Sequence, residues 1–199
     1  MSRRSQAQRT EATVGALLDA ARQSFAEQGF DATSLAAVAT RAKVTKGAVY
    51  HHFDSKAHLF EAVFGREIDR LAAALRTAYG GEDDPWDAFG AACRSFLEAC
   101  LDPAVRRIVL VEAFSAIGWE TTRRMEQPLM ELMCAGIAAA VRAGRIEPRP
   151  AEPFAHFLFG ALCETALTVA KADDRAAAHR RAVAEVDRVL GAVTVWSKQ

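Results

Sequence analysis

Apolar residues recur along this chain every three to four positions, the spacing that lines one face of an α-helix, between residues that cap or break helices. The first helix opens after Thr10 as N-cap. Val14, Leu17, Leu18, Ala21 and Phe25 share one face, Gly29 stops it, and Phe30 follows as an apolar anchor. Ser34 caps a short second helix with the stripe Leu35, Val38, Ala39 and Ala42. After a break at Lys43-Val44, Thr45 caps a third helix running to about Phe53. Asp54 and Ser55 punctuate, and a fourth helix runs from Lys56 to about Ala78, roughly 34 Å long.

Beyond the break Gly80-Gly81-Glu82-Asp83-Asp84, Asp84 and Pro85 start a fifth helix to about Leu101, with Phe89, Cys93, Phe96 and Cys100 along one face. Asp102-Pro103 repeats the pattern for a sixth helix to about Ala116, and Gly118-Trp119 marks a break. A seventh helix runs from Glu120 to Ala143, where Pro128 either kinks it or splits it in two. After the linker Glu147-Pro148-Arg149-Pro150, an eighth helix spans Pro153 to Lys171 and a ninth spans Asp174 to Trp196. No strand-like alternation and no Asn-Gly or Asp-Gly hairpin signal occurs. The fold class is all-α with about nine helices.

The chain has 199 residues with 25 Lys plus Arg against 25 Asp plus Glu, a net charge of zero. That argues against a histone-like or polyanion-coating protein, but not against a local DNA footprint. Of the 51% hydrophobic residues many are alanines, 42 in all, and the longest small-or-apolar run is ten residues, Leu132 to Val141, with a second run of seven from Phe157 to Cys163. No membrane span is expected from either run, and no secretory signal from Met1 to Arg9. The four cysteines, at 93, 100, 134 and 163, have no metal-site spacing and read as unpaired thiols of a cytoplasmic protein. No Ser/His/Asp constellation, Gly-x4-Gly-Lys-Ser/Thr loop or paired metal ligands occurs, so neither an enzyme nor a cofactor or metal is expected.

Two short helices joined by a tight turn and held by a preceding helix form a helix-turn-helix pattern. In the third helix Val49 and Phe53 face inward and Val44 anchors the turn. The opposite face offers Lys46, Tyr50 and the small Gly47 and Ala48, which allow a helix to sit deep in a major groove. Residues 1 to 58 hold eight basic and five acidic residues and the remainder 17 and 20, so the basic excess lies at this end. Arg3, Arg4 and Arg9 form an acid-free arm, read equally as groove-following or as a solvated tail. His51 and His52 are adjacent and point about 100° apart, a poor metal pair.

The stretch Gly29-Phe30-Asp31-Ala32-Thr33-Ser34, then Val38-Ala39, then Val44-Thr45-Lys46-Gly47-Ala48-Val49-Tyr50-His51-His52-Phe53, then Lys56 and Leu59, resembles the TetR (tetracycline repressor-like) family over about residues 10 to 60. The resemblance implies a homodimeric, ligand-responsive transcription factor, usually a repressor. Residues 1–55 would form its DNA-binding domain and 56–199 its ligand-binding and dimerisation domain, with 56–78 connecting them. Thr45, Lys46, Gly47, Tyr50 and His51 would lie at a palindromic double-stranded operator, Thr45 and Lys46 on base edges. Ser34 and Lys56 would meet phosphate. Capping alone also accounts for Ser34, Thr45 and Ser55. Lys43 stands where the family usually has glycine, which implies strain if the turn needs positive φ, and a charge that reaches phosphate.

The eighth helix carries Phe154, Phe157, Leu158, Phe159, Ala161, Leu162, Ala166, Leu167 and Val169, apolar nearly all round, so several sides need cover. The ninth shows an apolar stripe that includes Val183, Val186, Leu190 and Val193. Pairing both helices with their copies, through Phe159, Leu162, Val183, Val186, Leu190 and Val193, gives an isologous four-helix homodimer interface. The centre of a monomeric core is the alternative. A pocket for a small apolar or aromatic inducer is expected among helices five to eight. Its candidate lining is Phe89, Cys93, Phe96, Phe114, Trp119, Met125, Met133, Phe157 and Glu164, with ordinary core as the competing reading. Other classes are an all-α binding protein whose DNA-binding segment is secondary, and a redox sensor acting through Cys93 or Cys163.

Overall fold

A computed structural model describes residues 6–194. They form ten helical segments: α1 (Gln6–Gln28), α2 (Leu35–Arg41), α3 (Lys46–His52), α4 (Lys56–Tyr79), α5 (Pro85–Ala99), α6 (residues 103–117), α7 (Trp119–Met125), α8 (Gln127–Arg142), α9 (Ala151–Lys171) and α10 (Arg175–Val193). No strand occurs among the described residues, only an isolated bridge between Ile146 and Thr194. The all-α architecture matches the expectation, with three differences. α1 begins at Gln6, about one turn before Thr10, because the good helix formers there present no breaker. Of the two outcomes expected for the seventh helix, the split occurs, at Glu126 rather than at Pro128. Pro128 then falls in the first turn of α8, where its missing N–H costs no hydrogen bond. α10 ends at Val193. Arg3, Arg4 and Trp196 lie outside the described residues.

The helices cluster into two compact units that are discontinuous in sequence. Unit 1 takes the chain up to Glu67 together with Pro103–Thr122; unit 2 takes Ile68–Asp102 and the chain from Arg123 onward. The expected division was a single cut after residue 55. α6, which follows α5 in the chain, belongs with the helix-turn-helix. Its middle, Arg106–Glu112, is π-helical between α-helical ends Pro103–Val105 and Ala113–Ile117.

Unit 1 is centred on an aromatic cluster. The Phe25 and Phe60 rings meet edge to face at 5.0 Å and Phe30 and Phe60 at 5.3 Å, geometries that suit the ring quadrupoles. Glu67 is fully buried, and the Arg22 guanidinium grips it twice, Nε to Oε1 at 2.9 Å and Nη2 to Oε2 at 3.1 Å, tying α1 to α4. Arg66 adds a bond to Asp19 at 2.7 Å. Arg41 on α2 donates to Glu27 on α1, which holds the Glu27 carboxyl below its ordinary pKa.

Unit 2 is a bundle in which α9 packs against α5, α8 and α10. Trp86 stacks on Phe89 at 5.0 Å and donates its indole N–H to the Leu190 carbonyl at 3.1 Å. Phe96 meets Phe159 at 6.0 Å. By length and composition alone α9 could cross a membrane. Here Ala155, Leu158, Phe159, Leu162, Ala166 and Val169 are instead buried.

Candidate nucleic-acid interface and effector cavity

Two side-chain caps define the recognition motif. Ser34 Oγ accepts from the Ala37 N–H at 3.1 Å and opens α2, and Thr45 Oγ1 accepts from the Ala48 N–H at 3.2 Å and opens α3. Both hydroxyls therefore cap, and both remain on exposed residues. Val49 and Phe53 face inward, buried, as their spacing requires. The other face of α3 exposes Lys46, Gly47, Tyr50 and His51, with Ala48 half-buried and Lys43 and Thr45 exposed alongside. Seven of the eight predicted DNA contacts are thus solvent-exposed.

Two residues there lie outside the needs of the free protein. Lys43 has φ +56°, the left-handed region that costs a residue with a Cβ about 1–2 kcal/mol. A Cβ on Gly47 would meet nothing nearer than Thr45 Oγ1 at 3.9 Å. The protein interior therefore does not require glycine at 47, and glycine within a helix costs about 1 kcal/mol against alanine. A missing side chain on an exposed helix face suits a surface that must come close to another molecule.

Lys56, the eighth predicted contact, is placed differently. Its ammonium donates to the carbonyls of Phe30 at 2.7 Å and Asp31 at 3.0 Å and sits 4.3 Å from the Phe30 ring centroid. Two of its three N–H groups hold the turn that leads into α2, a role the sequence pattern did not show. The same turn is gripped from α6. Arg107 Nη1 donates to the Ala26 and Glu27 carbonyls at 3.3 and 3.2 Å, satisfying groups at the end of α1. Arg107 Nε donates to Glu112 Oε1 at 3.1 Å, and Glu112 Oε2 accepts from the Phe30 N–H at 2.9 Å.

In unit 2, four of the predicted pocket residues come together. Phe89, Cys93, Phe96 and Met133 line one apolar cavity with Leu75, Tyr79, Ala92, Leu129, Phe159 and Leu162. Its free volume is only about 10 Å³, room for one water at most. The Tyr79 hydroxyl donates to the Leu132 carbonyl over a long 3.4 Å, and burial pushes its pKa up. Gly136 makes room for that hydroxyl, since a Cβ there would lie 2.4 Å from it. Tyr79 was legible in principle, as Leu75 and Tyr79 are four apart on the inner stripe of α4.

The other pocket candidates are not brought there. Phe157 is 68% exposed, because its position on α9 is about 200° round the helix from inward-facing Phe159. Glu164 is exposed and lines a wide groove between α9 and α10. Phe114 and Trp119 stack on each other at 4.9 Å in unit 1, 37% and 61% exposed. Met125 is half-buried and does not line the cavity.

The dimer candidates divide likewise. Phe159 is buried inside its own bundle, so it is core rather than free surface. Leu162, Val186 and Leu190 line the groove, Leu162 and Leu190 as mostly buried floor. Val183 and Val193 are half-buried. The groove has a volume of about 760 Å³. The free stripe of α9 is Phe157, Ala161, Glu164 and Thr168, spaced three and four apart.

Burial pushes the thiols of Cys93, Cys100 and Cys163 up to about 12, so they stay protonated and unreactive at neutral pH. Among the described residues no cluster of three or more His, Cys, Asp or Glu could hold a metal ion.

Comparison with known proteins agrees with this geometry. A family model for bacterial regulatory proteins of the tetR family matches residues 17–63, and one for the tetracyclin repressor-like C-terminal domain matches residues 86–193. The Transposon Tn10 TetC protein of Escherichia coli is 29% identical over 115 residues, 58% of each chain. The transcriptional activator FasR of Mycolicibacterium smegmatis is 36% identical over 84 residues, 42% of this chain and 38% of its own. The chain thus spans less than two thirds of these curated relatives. A crystal structure of a TetR-family transcriptional regulator from Pectobacterium atrosepticum superposes with a TM-score of 0.79 at 30% identity, covering 97% of this chain and 99% of that one. With its two halves matched by the two family models and its whole length by a solved member, the chain belongs to the TetR family of transcriptional regulators.

Proposed function

We propose that this chain is a cytoplasmic, homodimeric transcriptional repressor without enzymatic activity, released from a palindromic operator by a small apolar or aromatic molecule. The observation that carries the reading is the exposed face of α3. Its Gly47 has no neighbour to demand it, and two lysines flank it on a capped and buried scaffold. Lys46 and Thr45 reach base edges, while Ser34, Lys43, Tyr50 and His51 hold phosphate. The third N–H of Lys56 is left for phosphate at the start of α4. Residues 1–55 read DNA, and 56–199 sense and dimerise.

The second copy lies on the groove of α9 and α10, meeting the free stripe Phe157, Ala161, Glu164 and Thr168 together with Val186. Isologous pairing sets two recognition helices one DNA turn apart. The effector enters the Phe89, Cys93, Phe96, Met133 and Tyr79 cavity. That cavity is closed in this conformation, while ligand sites measure roughly 300–1,000 Å³. Side chains such as Met133 must therefore turn aside, and the effector shifts the population only by its preference for the opened state.

The test is a titration of the duplex upstream of the protein's own gene with and without candidate aromatic effectors. Operator affinity unchanged at saturating effector sinks the regulatory reading. Ala161→Arg places charge in the groove and should give a monomer in sedimentation, with operator affinity down roughly 100-fold. A dimer that persists in Ala161→Arg would assign the groove to the effector instead.

A further inference from the structure

The π-helical centre of α6 has a consequence for the recognition helices. In an α-helix, residues five apart point about 140° from each other. In a π-helix the hydrogen bond runs from i to i+5, so residues five apart are neighbours. Arg107 and Glu112 are five apart, and within Arg106–Glu112 they meet, Nε to Oε1 at 3.1 Å. Side by side, both grip the same turn. Arg107 holds the last carbonyls of α1 at Ala26 and Glu27, and Glu112 holds the Phe30 N–H.

The seat between them is Gly29, with φ +86°. A Cβ there would lie 2.5 Å from Glu112 Oε1 and 2.6 Å from Arg107 Nη2, so glycine both ends α1 and makes room for the pair. From this seat the grip passes along short bonds. Thr33 Oγ1 donates to the Gly29 carbonyl at 2.7 Å, and the Phe30 carbonyl accepts from Lys56. Ser34, the cap of α2, is next in the chain. The chain enters α6 from unit 2 at Pro103 and returns to unit 2 after Thr122.

We propose that Arg107 and Glu112 are positioning residues for DNA reading, joined as a latch that exists only while the centre of α6 is π-helical. Relaxation of Arg106–Glu112 to α-helix separates the pair, frees the Phe30 N–H and the end of α1, and loosens the start of α2. This inference rests on the DNA-reading role proposed above, and neither its latch nor its test requires the effector to be known.

The experiment uses the full-length protein and a duplex that the wild type selects from a random pool. Arg107→Ala and the near-isosteric Glu112→Gln are compared by hydrogen exchange, by duplex titration and by thermal midpoint. The expected result is faster exchange at Phe30 to Ser34 in both variants, and affinity for the selected duplex at least tenfold lower in Arg107→Ala. The double variant should be little worse than Arg107→Ala, because a latch opens once. Exchange at the Phe30 amide that does not change overturns the latch. Faster exchange with wild-type affinity overturns its positioning role, as does an affinity loss that merely follows a lowered thermal midpoint. If the wild type selects no duplex, the DNA-reading role fails instead, and exchange at Phe30 still decides whether the pair holds the turn.

Discussion

The two units share an apolar centre but differ in the polar contacts added to it. Around its Phe25, Phe30 and Phe60 cluster, unit 1 adds polar groups on buried or backbone partners: Arg22 on buried Glu67, Lys56 on two carbonyls, and Arg107 with Glu112 on the end of α1. Such contacts are directional, so they hold one geometry. Unit 2 is held at its centre by apolar contact among Phe89, Phe96, Leu129, Met133 and Phe159. Its Arg94–Asp187 pair at 2.6 Å lies in the solvent-facing rim, where such pairs contribute about 0–1 kcal/mol, while Arg123 reaches the buried Glu126 at 2.8 Å. A reader of base edges needs fixed distances, whereas a sensor needs a centre that can repack.

The contrast is most sharply broken at Glu67. Glu67→Ala removes the buried carboxylate that Arg22 grips and should cost about 3–5 kcal/mol in denaturant titration; a cost under 1 kcal/mol would mean that the apolar centre alone holds unit 1. Next comes Gly136→Ala in unit 2, which drives a Cβ to within 2.4 Å of the Tyr79 hydroxyl and 2.9 Å of the Phe89 ring. A loss of about 1–3 kcal/mol is expected if the core cannot give way. A smaller loss would mark this centre as more deformable still.

Lys43→Gly tests the reading face from both sides. Relief of the φ +56° strain, less the entropy of an added glycine, should raise stability by up to about 1 kcal/mol. The same change should reduce the salt slope of DNA binding by about one unit, uniformly across sequences. A gain in stability with an unaltered slope would remove Lys43 from the phosphate contacts.

At neutral pH the smallest effect on stability belongs to the thiols. Cys93, Cys100 and Cys163, at about 12 against an ordinary 9.0, should resist alkylation at neutral pH until the protein is unfolded. Because the folded values are raised, the stability tied to the protonated thiols is complete below pH 9 and is lost as pH rises toward 12. A denaturation series across that window should show the decline, and replacing the three cysteines by alanine should flatten it. Loss of DNA response in that variant at neutral pH would favour redox sensing.

Much of unit 1 could be read in advance because its signals are local. Ser34 and Thr45 cap within three residues, Val49 and Phe53 lie four apart, and Lys43 in a glycine position foretold the positive φ. α9 could not be read in the same way. With apolar residues all round, nothing in its pattern separates inward Phe159 from exposed Phe157, and the dimer and pocket candidates were mixed accordingly. Glu164 was similarly assigned to a pocket although it lies on the open groove. Phe114 and Trp119 looked like pocket aromatics by composition, yet they stack in unit 1.

Helical periodicity, caps and breakers are short-range physics, and they were enough to specify an all-α chain, its helix-turn-helix and the residues its third helix exposes. Which unit α6 joins, how five-apart Arg107 and Glu112 become neighbours, and which side of α9 stays free depend on contacts between residues distant in the chain. A π-helical stretch and a buried turn are stable only when another helix supplies the missing partners. Those partners, Gly29 and Phe30 for α6 and the α5 and α8 faces for α9, came into place only with the tertiary structure.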